Sequence, residues 1–260
     1  MPELPDVEGF RRVVADHAAG ATTRRVRVRD AGVVHGSADA FARELTGRTF
    51  GRPDRHGKWL VVPTGGRFPE LLAHFGMTGA FVWGGTDEPD HRHDRVVFEF
   101  DGGALRYRDM RKLTGLRWAR DESEADDVLG DLGPDAAAID RDDLRARLTR
   151  SRRQLKPALM DQTALAGLGN LCVDEILWRS RLPPDAATTE LRAPEWTNLH
   201  RRLGAVLRQS SRVGRVPDRP SWLTGHRDEH DGRCPRCSTA LRRGRFGGRA
   251  TVWCPHCQPG

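Results

Sequence analysis

Cys234-Pro235-Arg236-Cys237 and Cys254-Pro255-His256-Cys257 close the chain, two Cys-x2-Cys pairs on either side of a 16-residue insert. Each pair can fold into one tight turn that presents two thiolates. Two such turns suit a tetrahedral zinc ion. The insert reads as a β-hairpin with Arg242-Arg243-Gly244-Arg245-Phe246-Gly247-Gly248 as its turn. A segment this short has too little apolar surface to fold without the metal. Two disulfides or a redox pair are the alternatives, and disulfides fit poorly with a chain showing no export signal. Cys172 stands apart within a helical pattern and reads as a small core residue. With Arg242, Arg243, Arg245 and Arg249, the hairpin is suited to holding phosphate, which by itself says nothing of chemistry.

The charge pattern outward from this hairpin points the same way. The 260 residues carry 43 Lys+Arg against 36 Asp+Glu, a formal net charge of +7. The last 60 residues hold 13 Arg, no Lys and four acids, so they carry more than the whole positive balance. Clustered positive charge implies either a polyanion partner, most often nucleic acid, or a solvated basic face. Only Lys58, Lys112 and Lys156 are lysines, and the arginine bias itself fits GC-rich coding. No apolar run approaches the ~18 residues of a spanning helix, and the acidic start gives no secretory signal. A cytoplasmic protein is expected.

Residues 121–143 hold ten acids and one cation, Arg141, and read as an exposed connection, with a boundary near residues 130–140. Before it, a helix is expected over residues 3–19, from Val7, Phe10, Val14 and Ala18 at helical spacing. Seven short β-rich runs follow: Arg24–Arg29, Trp59–Pro63, Leu71–Phe75, Ala80–Trp83, Arg95–Phe100, Ala104–Arg108 and Leu116–Trp118. Gly- and Pro-rich turns separate them, which predicts an antiparallel sandwich or barrel. After the acidic stretch, Asp142–Leu148, Leu155–Asp161, Asn170–Arg179 and Glu195–Gln209 fit a 3.6 period, with Gly167-Leu168-Gly169-Asn170 punctuating two of them. The class is therefore α+β.

Pro2 follows Met1 directly, and methionine is removed efficiently before a small residue. The product is a secondary amine with a pKa near ~8, a competent nucleophile at neutral pH. Its attack on an aldehyde-like carbon gives an iminium, an electron sink for elimination, with Glu3 beside it as a general acid/base. On these residues alone, an ordinary N-terminus with a helix-start proline is the better reading, since proline is common at position 2.

Pro2-Glu3-Leu4-Pro5-Asp6-Val7-Glu8, Gly167-Leu168-Gly169-Asn170 and the terminal tetracysteine hairpin occur here in one order. Together they resemble the formamidopyrimidine-DNA glycosylase/endonuclease VIII family of base-excision repair enzymes, over residues 2–258. The resemblance implies three parts: a catalytic β-sandwich domain over 1–133, a helix–two-turn–helix DNA-binding domain over 134–225 and a zinc finger over 226–260, with DNA in the cleft between two lobes. It implies a bifunctional DNA glycosylase/AP lyase that removes oxidised bases and cuts the strand by β,δ-elimination through a Schiff base on Pro2, assisted by Glu3. Lys58, in His56-Gly57-Lys58-Trp59-Leu60, would contact the phosphate flanking the lesion. Lys156, Asn170 with the N–H groups that start its helix, and Arg249 would complete the phosphate contacts. Met77, Arg111 and Leu113 would fill the gap left by the flipped nucleotide. Cys234, Cys237, Cys254 and Cys257 would hold one structural zinc. The partner would be duplex DNA with damaged bases or abasic sites, the enzyme a monomer, and its setting the bacterial cytoplasm and nucleoid.

The sequence departs from the family pattern at Asp6, where glutamate is usual, at Leu113 in place of phenylalanine, and at Met110 and Thr114 in place of a proline and a glycine. Ser210–Gly232 is short where an extended loop covers 8-oxoguanine in some members, so the lesion stays open. The alternative function is a non-catalytic damaged-DNA-binding protein of the same fold.

Overall fold

A computed structural model describes residues 1–260. By internal packing the chain divides into two units, Met1–Pro2 with Asp6–Asp131, and Glu3–Pro5 with Leu132–Gly260.

The first unit is built on two four-stranded antiparallel sheets. Helix α1 (Leu4–His17) is followed by β1 (Arg25–Val28), helix α2 (Ala38–Leu45), β2 (Asp54–His56), β3 (Trp59–Pro63), β4 (Glu70–His74), β5 (Ala80–Gly84), β6 (Asp94–Phe100), β7 (Gly103–Arg108), β8 (Leu116–Ala119) and helix α3 (Glu122–Leu129). One sheet has the order β1-β6-β7-β5 and the other β2-β3-β4-β8. The expected sandwich is present. Its core joins Val7 and Val14 of α1 to Leu60, Val62, Leu71 and Ala73 of one sheet and Phe81, Val96, Phe98, Leu105 and Tyr107 of the other. β3 alternates buried and half-buried positions, as a strand with one core face should. Phe75 is the aromatic hub, its ring centroid 4.4 Å from Phe10, 5.3 Å from Phe81 and 6.0 Å from Tyr107.

The acidic stretch differs from the expectation of a plain connection. Its first part is helix α3, capped by Asp121, whose side chain accepts from Glu124 N–H. Glu122 and Glu124 lie in the first turn, where the helix dipole favours anions. Ala125 is buried, and Val128 and Leu129 pack with it against Leu72 and Ala119. Acids face out and three small or branched apolar residues face in, a pattern too brief to stand out among ten carboxylates. Helix α2 and strand β2 also had no expectation attached to them.

The second unit is helical. α4 (Arg141–Leu148), α5 (Leu155–Met160), α6 (Asn170–Ser180) and α7 (Ala193–Val213) share one core, with Trp196, Leu199, Leu203 and Val206 of α7 packed with Val173, Ile176 and Leu177 of α6. Between α5 and α6, Gln162 braces the double turn: its amide donates to Met160 O at 2.9 Å and Leu168 O at 3.0 Å, and its oxygen accepts from Gly167 N–H at 3.0 Å. Strands β9 (Arg242–Phe246) and β10 (Arg249–Trp253) form the terminal hairpin. The turn is therefore Gly247-Gly248 alone, not the whole of 242–248. Both glycines have positive φ, +56° and +74°, the requirement of a two-residue turn matched to strand twist. Arg242–Phe246 reads as turn-like in sequence, yet the register Phe246↔Arg249 makes it a strand. No helix is long and apolar enough to cross a membrane.

Candidate functional site

In the second unit Glu3 is 1% exposed, and its carboxylate caps the start of α6. Gly169 N–H at 3.1 Å, Leu171 N–H at 2.8 Å and Cys172 N–H at 3.0 Å all donate to it. The helix has no side-chain cap of its own, so Glu3, distant in sequence, satisfies the free N–H groups of its first turn. The seat is shaped for it. A Cβ on Gly169 would lie 2.3 Å from Glu3 Cδ, so only glycine fits there. Leu4 N–H donates to Gly167 O at 3.1 Å, fixing the next residue to the same turn.

This arrangement corrects one expectation. The N–H groups at the head of α6 were assigned to a DNA phosphate, and the structure gives those of Gly169, Leu171 and Cys172 to an internal anion. Lys156 also differs. It is fully buried, with Nζ 2.5 Å from Asp174 Oδ1 and 3.2 Å from Ala250 O, and so is not presented to a phosphate. Asp174 takes a second cation, Arg227 at 3.1 Å, and Val252 N–H at 3.3 Å. Ala250 O in turn accepts from Lys156, from Asn170 Nδ2 at 2.8 Å and from Arg227 at 3.0 Å. Lysine and aspartate 18 residues apart thus lock the zinc hairpin onto α5 and α6. Asn170 is half-buried and Arg249, next to the locked carbonyl, is exposed. Asp174 and Arg227 were missed. A buried aspartate inside a helix of charged and apolar residues carries no distinctive spacing.

The four cysteines expected as ligands come together. Their sulfurs lie within 4.8 Å of one another, at 3.9 Å for Cys234–Cys257 and 3.5 Å for both Cys237–Cys254 and Cys237–Cys257. A tetrahedron of sulfurs each ~2.3 Å from zinc has edges of about 3.8 Å, so the set fits that ion. Cys257 N–H points at Cys254 Sγ at 3.4 Å and Trp178 Nε1–H at Cys234 Sγ at 3.3 Å, donors that favour thiolate. Cys172 is buried and in no disulfide, as expected of a core residue. These four cysteines would hold one structural zinc, whose role is to stabilise the hairpin.

In the first unit, Pro2 is half-buried. Lys58 sits at the tip of the β2–β3 hairpin, in a two-residue turn with Gly57 at φ +57°, rather than within a strand. Arg55 in β2 is 3.5 Å from Glu8 of α1, and Glu8 also binds Arg11 at 2.8 Å. Burial would raise the Glu8 carboxyl, but Arg11 and Arg55 hold it below its ordinary range. The ring of His74 lies 4.9 Å from that of Trp59. Burial, assisted by the Lys58 cation, pushes His74 down to about 4, so it is neutral at pH 7. Its Nδ1 accepts from Gly76 N–H at 3.1 Å and lies 3.0 Å from Thr114 Oγ1.

The three residues expected to enter the duplex are brought together. Met77, Met110 and Leu113 are 40%, 55% and 54% exposed, unusual for large apolar side chains, and the Arg111 guanidinium rests 3.0 Å from Met77 Sδ. The loop between β7 and β8 is pinned at its base by Asp109, wholly buried, whose Oδ1 accepts from Arg111 N–H at 3.0 Å and Thr78 Oγ1 at 2.5 Å. An apolar wedge flanked by a guanidinium suits insertion between bases.

An antiparallel sandwich, a helix–two-turn–helix unit and a tetracysteine hairpin, with a carboxylate seated at the double turn, define the class of zinc-finger DNA glycosylases. Family models match in the same order: "Formamidopyrimidine-DNA glycosylase N-terminal domain" over residues 1–116, "Formamidopyrimidine-DNA glycosylase H2TH domain" over 132–217 and "Zinc finger found in FPG and IleRS" over 232–260. The formamidopyrimidine-DNA glycosylases of Bacillus subtilis and Lactobacillus delbrueckii subsp. bulgaricus are each 32% identical, over 99% of this chain and 99% of theirs. The chain belongs to the formamidopyrimidine-DNA glycosylase family. Solved structures agree. Lactococcus lactis FPG with Fapy-dG-containing DNA superposes with a TM-score of 0.90 at 28% identity, covering 99% of this chain and 100% of that one. The same protein with abasic-site DNA gives 0.88 at 28% identity over the same shares.

Proposed function

We propose that the chain is a bifunctional DNA glycosylase/AP lyase of base-excision repair acting on oxidatively damaged bases. The observation that carries this reading is the seat of Glu3: a carboxylate one residue from a nucleophile-forming proline, held by three backbone N–H groups against a glycine that admits no side chain. After loss of Met1, the Pro2 amine attacks C1′ of the damaged nucleotide. The C1′–N bond breaks, and the base departs with its electron pair and takes up a proton. The sugar opens to an iminium on Pro2. Loss of a C2′ proton expels the 3′-phosphate, and a second elimination expels the 5′-phosphate. Glu3 assists base departure and proton transfer, Lys58 neutralises the phosphate flanking the lesion, and Asn170 and Arg249 contact backbone phosphate. Met77, Arg111 and Leu113 occupy the vacated stack.

The relatives named above are bacterial, in keeping with a cytoplasmic, nucleoid-associated enzyme that works as a monomer. Residues 1–133 form the catalytic domain in this reading, 134–225 the helix–two-turn–helix domain and 226–260 the finger.

Borohydride reduction in the presence of an abasic-site duplex tests the reading. Met-processed protein is expected to give a covalent complex that disappears in Pro2→Gly and when a tag blocks the N-terminus. Trapping that survives the block would remove Pro2 from the mechanism, and no trapping with any variant would favour a binding protein. A panel of 8-oxoguanine, formamidopyrimidine and oxidised-pyrimidine duplexes then identifies the lesion.

A further inference from the structure

Lys112 lies between Arg111 and Leu113 and adopts φ +53°, in the left-handed region that non-glycine residues rarely occupy. Such a conformation persists where surrounding contacts impose it. The contact that holds the Lys112 side chain is Asp30, 82 residues away. Its Oδ2 receives Lys112 Nζ at 2.9 Å and Arg95 Nη1 at 3.3 Å, while Oδ1 accepts from Gly32 N–H at 3.0 Å. Arg95, in β6, donates Nε–H to the carbonyl of Asp109 at 2.7 Å. Besides the bonds from Arg111 N–H to Asp109 and Thr78, the loop is therefore held on either side of Arg111, at Asp109 through Arg95 and at Lys112 directly. One carboxylate joins both. The Arg95 and Asp30 side chains are 16% and 21% exposed, so the join is shielded, whereas Lys112 is 41% exposed. No other acid pairs with Lys112.

We infer that Asp30 is a positioning residue that sets opposite-base discrimination by fixing, through Lys112 and Arg95, the pose in which Arg111 meets the unpaired base. This rests on the reading that Arg111 faces that base. Asp30 touches no substrate. Without its charge, Lys112 relaxes towards ordinary φ, and Arg111 and Leu113, its two neighbours, turn with it. The Pro2 chemistry lies elsewhere in the chain and is unaffected. The consequence is a loss of selectivity without a loss of turnover.

The test uses abasic-site duplexes with cytosine, adenine, guanine or thymine opposite, so that lesion preference does not enter. For Asp30→Asn and for Lys112→Met, KM rises and the ratio of kcat/KM between the best and worst opposite base falls roughly tenfold towards the Arg111→Ala value. Single-turnover strand cleavage at saturation stays within about twofold of wild type. The double variant is no worse than either single one, as expected for two halves of one contact, and Asp30→Glu restores part of the ratio. Lys112→Met is the safeguard if Asp30→Asn folds poorly, because its side chain is solvent-facing. An unchanged ratio in Lys112→Met, with Arg111→Ala collapsed, overturns the role of Asp30. A ratio that does not change in Arg111→Ala either takes down the underlying reading of Arg111.

Discussion

The seat of Glu3 and the loop from Asp109 to Gly115 are both short segments that the proposed mechanism uses, yet they are held by opposite means. Glu3 is fixed by backbone N–H groups at the head of a helix, with a glycine wall behind it and 1% of its surface exposed. The loop is fixed from below by side chains, Asp109, Arg95 and Asp30, while its tips stand more than half exposed at Met110 and Leu113. Backbone donors are present whatever the side chains nearby, so the first arrangement tolerates little variation at its glycine and much around it. Side-chain struts can be re-chosen, and the second arrangement holds three of this chain's departures from the family pattern, Met110, Leu113 and Thr114, against one, Asp6, near the first. In the proposed mechanism, chemistry is thus fixed to backbone and selectivity to side chains.

The sharpest way to break that contrast is Gly169→Ala. The added methyl would overlap Glu3 Cδ at 2.3 Å, so Glu3 must leave its seat. We expect strand cleavage to fall by about 10²-fold or more, with a stability loss of ~1–3 kcal/mol, read by abasic-site kinetics and urea unfolding. Activity within a few-fold of wild type would show that the seat is dispensable.

Metal removal comes next. Chelation should unfold β9 and β10, expose the chain around Arg245 to protease and weaken duplex binding by roughly 10–100-fold, restored by added zinc. The α4–α7 core should stay folded by circular dichroism, because its buried set, Leu4 with residues from Ala136 to Trp222, includes no finger residue. Loss of helix signal on chelation would contradict that separation.

Lowering pH should loosen the side of the molecule that holds His74. Folded His74 titrates at about 4, against ~6.5 in an unfolded chain, so the unfolded state takes up the proton first. At pH 7 both states are neutral and His74 has no effect. Between about 6.5 and 4 stability is lost, on the order of 2–3 kcal/mol once fully expressed. Protonation also removes the Nδ1 acceptor used by Gly76 N–H. His74→Asn should flatten the dependence of the urea midpoint over that range, and an unchanged slope would exclude His74 as its source.

The smallest effect is expected at Leu113→Ala, less than about 0.5 kcal/mol in stability because the side chain already faces solvent. The same truncation at Leu168, fully buried behind the double turn, should cost ~2–5 kcal/mol. Similar melting temperatures for the two would mean that the loop tip is packed in solution.

Much of this was legible in sequence for reasons of periodicity and spacing. The sandwich strands announce themselves by glycine-bounded β-branched runs, and the finger by cysteines whose spacing has one common chemical use. Lys156 was legible as important but misread, since a lysine's burial depends on a partner, Asp174, that no local pattern marks. The head of α6 reads in sequence as a phosphate site, and three of its N–H groups are given to an internal anion instead. The anion proved to be Glu3, and a contact across 166 residues cannot be read from either end. Asp30 escaped for the same reason.

Trp178 has a consequence in optical terms. Its indole N–H lies on Cys234 sulfur, and the Arg236 guanidinium covers its ring at 4.2 Å, so its excited state senses the charge on that thiolate. Six other tryptophans dilute the signal, but Trp178 is the one hydrogen-bonded to a cysteine of the finger. The difference in emission between wild type and Trp178→Phe therefore serves as a dye-free gauge of zinc occupancy. It comes from the same helix whose opposite end seats Glu3.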